Sequence, residues 1–407
     1  MVKWFSFDNA NAPQLTNVWG CLIDVLDACL ITGFGSQNIS SLVVSNGVAK
    51  ATFGTAHNFK QFQVVEVSGV TQTVLNGEFK IIGLTSTTIE FLVSSPDLTA
   101  TGTISAKLAP LGWSKSFSGT QKAVYRAKDT SSNPYFLRVD NSLDPVYDTN
   151  YAKFAKVGIL ETCTGIDDLS GNQVPFNKAS PNRNWVGTGS GADAYVGWAK
   201  WIYAYYPAYG SLEYGQFSGS PSNGARDWIL IGNEQSFFLL NAFDLRAEKT
   251  NYRTPVGFFI LDNGIVKRPV LAASTQYTNA GDYFLPYSGL TESAQGFYPL
   301  LRGDNSLNSN SISSIITRAS IYSGNQTELN YQANLGILLS AIPIKDNLSN
   351  FLGNADLIYW VGFDQSNYSD KQLIVDNNEI FIIVKCRQTS SATTYLGCYA
   401  FHLGHIE

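Results

Sequence analysis

The strongest constraint on this chain is a local pattern that recurs along it: short runs of β-branched and aromatic residues broken by tight-turn residues. Leu42-Val43-Val44 and Val48–Phe53 flank Asn46-Gly47. Asn-Gly supplies the positive φ that a type I′ hairpin turn needs. A second Asn-Gly, at 76–77, opens the run to Ile82. Gln63–Val67, Thr87–Val93 and Gly102–Leu108 follow at the close spacing of a small β-sandwich or barrel. Farther on, Trp228–Ile231 and Ser236–Leu240 flank Gly232–Gln235, and Gln372–Val375 and Glu379–Val384 flank Asp376-Asn377-Asn378. Both read as hairpins. Val256–Leu261 and Leu396–Phe401 are further strand candidates.

One segment has a different period. Leu15, Val18, Leu22, Val25 and Cys29 recur at spacings of three and four, which predicts an amphipathic helix over 15–31. Leu26 and Leu30 widen the stripe, Asp24 and Asp27 fall opposite it, and Gly33 is the expected stop. Such a stripe either packs on its own domain or docks on a neighbouring subunit. The expected fold class is therefore mainly β. An N-terminal segment with this helix (1–37) precedes a small β-sandwich or barrel domain (38–110). A larger β-rich domain with long loops (111–407) follows, with a further division near 265–315. The long irregular stretches 165–195, 206–226 and 272–312 are of the length that usually carries function or contacts.

Composition narrows the functional classes. Charged residues are 14% of the 407, against ~25% in an average soluble domain, and the net charge is −5. That balance offers no basic stripe for nucleic acid. The apolar stretch 18–31 is interrupted by Asp24 and Asp27, and no segment has the ~20 apolar residues of a membrane span. The expectation is a product of the cytoplasm with no export signal and no membrane insertion. Five cysteines without C-x-x-C spacing read as buried thiols, not a disulfide framework or zinc site.

Motif chemistry is sparse. Of the three histidines, His402 and His405 form a His-x-x-His tail without the H-E-x-x-H pattern, and His57 stands apart. There is no G-x-S-x-G elbow. Gly187-Thr-Gly189-Ser-Gly191 lacks the strand before and the Lys-Ser/Thr after that a phosphate loop needs. Asp167-Asp168 are adjacent, so their side chains diverge and do not form a carboxylate pair across a bond. Arg302-Gly303-Asp304 and the sequons starting at Asn38, Asn325, Asn347 and Asn367 are ordinary loop chemistry without an export signal. The chain is expected to be no enzyme and to hold no cofactor and no metal.

The surplus is aromatic. Trp198 and Trp201 share twelve residues with Tyr203, Tyr205, Tyr206 and Tyr209. Rigid rings with a polar handle serve three ends: a packed core, a subunit interface, or a glycan site.

The order of segments resembles a family of tailed-bacteriophage virion structural proteins. The likeness is carried by Val2-Lys-Trp-Phe5, Ala12-Pro-Gln-Leu15, Leu22–Leu30 running into Thr32-Gly-Phe-Gly35, and Ser41-Leu-Val-Val44. It continues in His57-Asn-Phe59, Leu75-Asn-Gly-Glu78, Thr87-Thr-Ile-Glu-Phe91, Gly112-Trp-Ser-Lys115, Leu137-Arg-Val-Asp140 and Ala225–Leu230. It is good over about 1–140, patchy to about 260 and weak beyond. The resemblance implies a place in the virion, after assembly in the bacterial cytoplasm, and no site residue. The expected role is a non-enzymatic tail or baseplate component, a homo-oligomer contacting other virion proteins. Two alternatives stand beside it: a capsid decoration or head-fibre protein, and a receptor protein that binds a host surface glycan through Trp198, Trp201, Tyr203, Tyr205 and Tyr206.

Overall fold

The structure is a computed structural model. It describes residues 1–207 except 132, 178, 192 and 193, and 215–275 except 217, 244, 246–252 and 263–266. Beyond these it describes 283–284, 297–299, 339–345, 351–361, 368–387 and 396–406. Arg302-Gly303-Asp304, the sequons at Asn325, Asn347 and Asn367, and most of 272–312 lie outside the described residues.

Among the described residues, strands take up about half and form four antiparallel sheets, so the mainly β expectation holds. The two-residue turns fall where the dipeptides put them. Asn46 (φ 52°) and Gly47 (φ 76°) join Phe34–Ser45 to Val48–Phe53, with Ser45 opposite Val48. Asn377 (φ 48°) and Asn378 (φ 72°) join Gln372–Asp376 to Glu379–Arg387.

The first sheet runs Gly77–Lys80, Val64–Val70, Gly102–Leu108, Phe34–Ser45, Val48–Phe53, Thr88–Leu92, Gly83–Leu84. Burial alternates along these strands, as expected of a sheet with one face inside and one in water. The sheet curls into a half-barrel. Phe79, on its first strand, stacks on Phe91, near its far edge, with ring centroids 4.6 Å apart.

A middle sheet runs Trp113–Gly119, Lys122–Ala127, Phe136–Asp140, Lys153–Leu160, Ala199–Ala204, Ser274–Thr275. The largest sheet begins with Lys3–Ser6 and continues through Trp228–Gly232, Phe237–Ala242, Arg253–Asp262, Phe351–Val361, Leu396–His405 and Glu379–Arg387 to Gln372–Asp376. A small sheet joins Tyr206–Pro207, Gly215–Gln216 and Tyr283–Phe284. One apolar core runs through the helix, the half-barrel, the middle sheet and one face of the largest sheet. Trp113 sits edge-on between Phe237 and Phe258, at 5.4 and 5.5 Å. The other face of the largest sheet has its own core around Ile231, Phe238, Phe259 and Phe401.

The helix is shorter than its periodicity predicts. It spans Cys21–Asp27, followed by a π-turn over Ala28–Thr32 that stops at Gly33. Leu15 instead forms a β-bridge with Arg226, and Val18 is 59% exposed. The start is set from far away: the Asn141 side-chain oxygen accepts from the backbone N–H groups of Gly20 and Leu22, at 2.9 and 3.2 Å. Leu22, Val25 and Cys29 are buried against this chain's own core, as is Leu15. The reading of this stripe as a surface for docking on a neighbour is therefore corrected: no apolar side of it is left exposed except at Val18. On the polar side, Asp27 accepts from the Tyr125 hydroxyl at 2.8 Å and pairs with Lys115.

Gly33 (φ 68°) is needed at the stop, because a Cβ there would lie 2.2 Å from the Leu108 carbonyl oxygen. Gly33→Ala is expected to cost ~1–3 kcal/mol of stability by strain, read as a lowered denaturation midpoint.

Candidate functional site

The aromatic run comes first. Ala199–Ala204 is buried along its whole length. Trp201 is 1% exposed, and its indole N–H donates to the Ala272 carbonyl at 2.8 Å. Tyr203 donates to the Val18 carbonyl at 2.9 Å and accepts from the Asn141 amide at 3.0 Å. Burial pushes its phenol well above the usual range, with the Cys21 thiol adding to the shift. Trp198 lies edge-on to Tyr195, and Tyr205 packs on Phe243 at 5.5 Å. Only Tyr206 of the five expected contacts faces out, at 49% exposure. The glycan or interface role expected of Trp198, Trp201, Tyr203 and Tyr205 is corrected to core. Their polar atoms are engaged by the chain itself, and a strand apolar on both faces is the mark of full burial.

Beside this strand the middle sheet buries a set of charges. Asp144 accepts from Lys156 at 3.1 Å and from the Gly187 backbone at 2.8 Å. Asp140 lies 3.4 Å from Arg138, whose guanidinium covers the Trp185 ring. These carboxylates are sealed and ion-paired, an arrangement that orders the sheet without offering acid–base chemistry to a ligand. Gly187–Gly191 thus folds back onto Asp144. Asp167 and Asp168 diverge as expected. Asp167 pairs with Lys122 and Arg138, each at 3.2 Å, while Asp168 caps the turn through Thr164 and Ser170. Those hydrogen bonds hold the Asp168 carboxyl far below the usual carboxylate range.

The lysines here are strained electrically. Burial lowers the Lys200 ammonium well below its ordinary value. Lys153 sits over the Trp19 ring, and burial, then the charge of Arg226, bring it down from 10.5 to about 8. Its protonated form is thus less welcome in the folded chain than in the open one. That cost is complete below pH 8 and is relieved as pH rises from 8 to 10.5. The stability of the wild type relative to Lys153→Met is expected to rise across that window in denaturant titrations. A flat difference would put Lys153 in open solvent.

The thiols are not poised for chemistry. Cys29, Cys163, Cys386 and Cys398 are buried, and all five cysteines are free. Burial raises every one, Cys398 to about 12. His57 is structural: its Nδ1 accepts from the Phe59 backbone at 3.0 Å, and its Nε2 lies 3.2 Å from the Thr88 carbonyl. His402 and His405 flank Glu379. Among the described residues no His, Cys, Asp and Glu group is arranged to hold a metal, and no helix is long and apolar enough to cross a membrane.

Among the described residues lies an open cleft of about 330 Å³, bounded by Gln235, Lys267, Asn354, Asp356, Leu357 and Tyr359. A bulge builds it. Pairing of Leu339–Lys345 with Phe351–Val361 steps from Ala341↔Tyr359 to Pro343↔Asn354, which leaves 355–358 outside the ladder. Leu357 there has φ 66°, and its N–H donates to the Asp356 carboxylate at 2.9 Å. Bulges of this kind re-aim side chains. The cleft gathers two amides, an ammonium, a carboxylate and a phenol. Burial, then the charges of Asp356 and Glu379, raise the Tyr359 phenol and keep it neutral. Such a set suits a polyhydroxylated ligand. Sequence reasoning missed it because its members are scattered from 235 to 359 and follow no motif.

No protein-family model matches the chain, and no curated protein matches it.

Proposed function

We propose that the chain is a non-enzymatic structural component of a tailed-phage virion, assembled with copies of itself and with other virion proteins in the tail or baseplate. The observation that supports this best, beside the resemblance over 1–140, is the outward face of the half-barrel. Ser41, Thr52 and Thr88 form one cross-strand row of hydroxyls. Val43 and Leu92 stand exposed beside them, with the Lys50–Glu90 pair between. The charges of this face are matched across strands, Lys50 with Glu90 and Lys107 with Glu66, so a neighbouring subunit can cover it, hydroxyls and exposed aliphatics included, without stranding a charge. Particle reconstruction is the test: density for the half-barrel on the tail is expected. Density on the capsid faces moves the chain to a decoration or head-fibre role, and its absence from purified particles ends the virion reading.

The cleft supports a second reading, a host-glycan contact through Lys267, Asp356 and Tyr359 and not through the aromatic run. Its size is at the lower end for ligand pockets. Titration of the full chain with monosaccharides, followed by ligand-observed NMR, is expected to give saturable binding that Asp356→Asn weakens. No saturation at millimolar sugar removes this reading and leaves the first untouched.

A further inference from the structure

Gln372–Asp376 closes one end of the largest sheet, and among the described residues nothing pairs with its outer edge. Natural sheets guard such edges with lysine, proline or bulges. Here the exposed edge reads Leu373-Ile374-Val375, its ladder with Glu379–Arg387 runs without a register shift, and Val375 is 46% exposed. We infer that this edge pairs antiparallel with the same strand of a second copy, about a two-fold axis through Ile374.

The parity of the hairpin carries the argument. A two-residue turn makes Asp376 and Glu379 a hydrogen-bonded pair. Bonded and non-bonded pairs alternate, so Ile374 also spends its N–H and C=O on the inner ladder, with Phe381. Leu373 and Val375 therefore direct theirs outward. Centring the dyad on Ile374 sets Leu373 against Val375 of the second copy, twice over. Both residues then use their outward groups, which closes a set of backbone hydrogen bonds across the axis.

Side chains select the same register. With Ile374 at the centre, apolar residues face apolar ones, and the Gln372 amide meets the Asp376 carboxylate of the second copy. A dyad on Leu373 would set Gln372 against Ile374, and one on Val375 would set Asp376 against Ile374. The chosen pairing also continues the half-exposed apolar face of Ile374, Phe381 and Tyr359 across the axis. An edge that complements itself in backbone parity, apolar match and amide–carboxylate match points to a second copy of this chain as its occupant. This rests on the edge alone and is independent of where in a particle the chain resides.

Sedimentation of the purified chain over a concentration series is expected to show a monomer–dimer equilibrium. Val375→Pro removes an outward N–H and leaves the inner ladder intact, so it should weaken the dimer on the order of tenfold or more with the melting curve unchanged. Register is read by cross-linking. In a non-bonded pair the Cα atoms are ~4.5 Å apart, within disulfide reach, so Ile374→Cys should form an intermolecular disulfide under mild oxidation. Val375→Cys, offset from its own copy by two residues, should not. A chain monomeric throughout with no Ile374→Cys cross-link overturns the inference. So does a Val375→Pro variant that dimerises like the wild type, or equal cross-linking of the two cysteine variants.

Discussion

Arg253→Met should lose on the order of 3 kcal/mol of stability, because it takes the enclosed guanidinium away from two partly buried carboxylates, Asp227 and Asp370. Arg253 is fully enclosed on the strand Arg253–Asp262. One arm of its guanidinium contacts both Asp370 oxygens at 2.8 Å, and the other reaches Asp227 at 2.5 Å. Asp227 also accepts from Lys371 at 2.9 Å, and Lys371 reaches the Ser6 hydroxyl at 3.1 Å. The network thus ties the first strand of the largest sheet to the segment that leads into its last. Without the guanidinium, Asp370 keeps the Lys385 backbone N–H, at 3.0 Å. Adding Asp370→Asn to Arg253→Met should recover part of the loss, and a double-mutant cycle measures how much. A single-variant loss below ~1 kcal/mol would mean that water screens the network as it does at a surface.

Trp201→Ala is the second large effect, about 3–5 kcal/mol from the cavity alone. The indole packs edge-on to Phe237 at 5.9 Å and bridges from its strand to the Ala272 carbonyl through its N–H. Its loss also leaves that carbonyl without this donor in the interior. Soluble yield and melting temperature should fall together, and assembly should fail with them. Trp201→Phe, which keeps most of the ring volume, should do clearly less damage. An alanine variant that melts like the wild type yet fails to adsorb to cells would return the aromatic run to the surface.

The parts of the fold legible in the sequence are those with local causes. Asn46-Gly47 and Asn377-Asn378 dictate their turns with their own backbone, and Gly102–Leu108 forms a strand with the bounds expected of it. The helix start was not legible, since its cap comes from Asn141, which lies 121 residues from Gly20. Lys3–Ser6 gave no signal either. It is a four-residue strand buried on every side, with no alternation to read. The aromatic run could have been assigned to the core from Trp198–Tyr205, as both parities of the strand are apolar except at Lys200. The cleft could not: Asp356 and Tyr359 become neighbours of Lys267 only through a bulge in a ladder set by tertiary pairing.

The pairing of Lys3–Ser6 with Trp228–Gly232 also imposes an order of events during synthesis. Pro13 and Trp228, which share a hydrogen bond at 3.1 Å, are 215 residues apart. A ribosome adding roughly 5–20 residues per second needs on the order of tens of seconds to make that span. The half-barrel has all its strands by Leu108 and can close early. The first strand has to wait beside it, with Trp4 and Phe5 unpaired, until its partner emerges. The time of greatest exposure to misassembly thus falls between the synthesis of the two partner strands, and Lys3–Ser6 is the segment at risk.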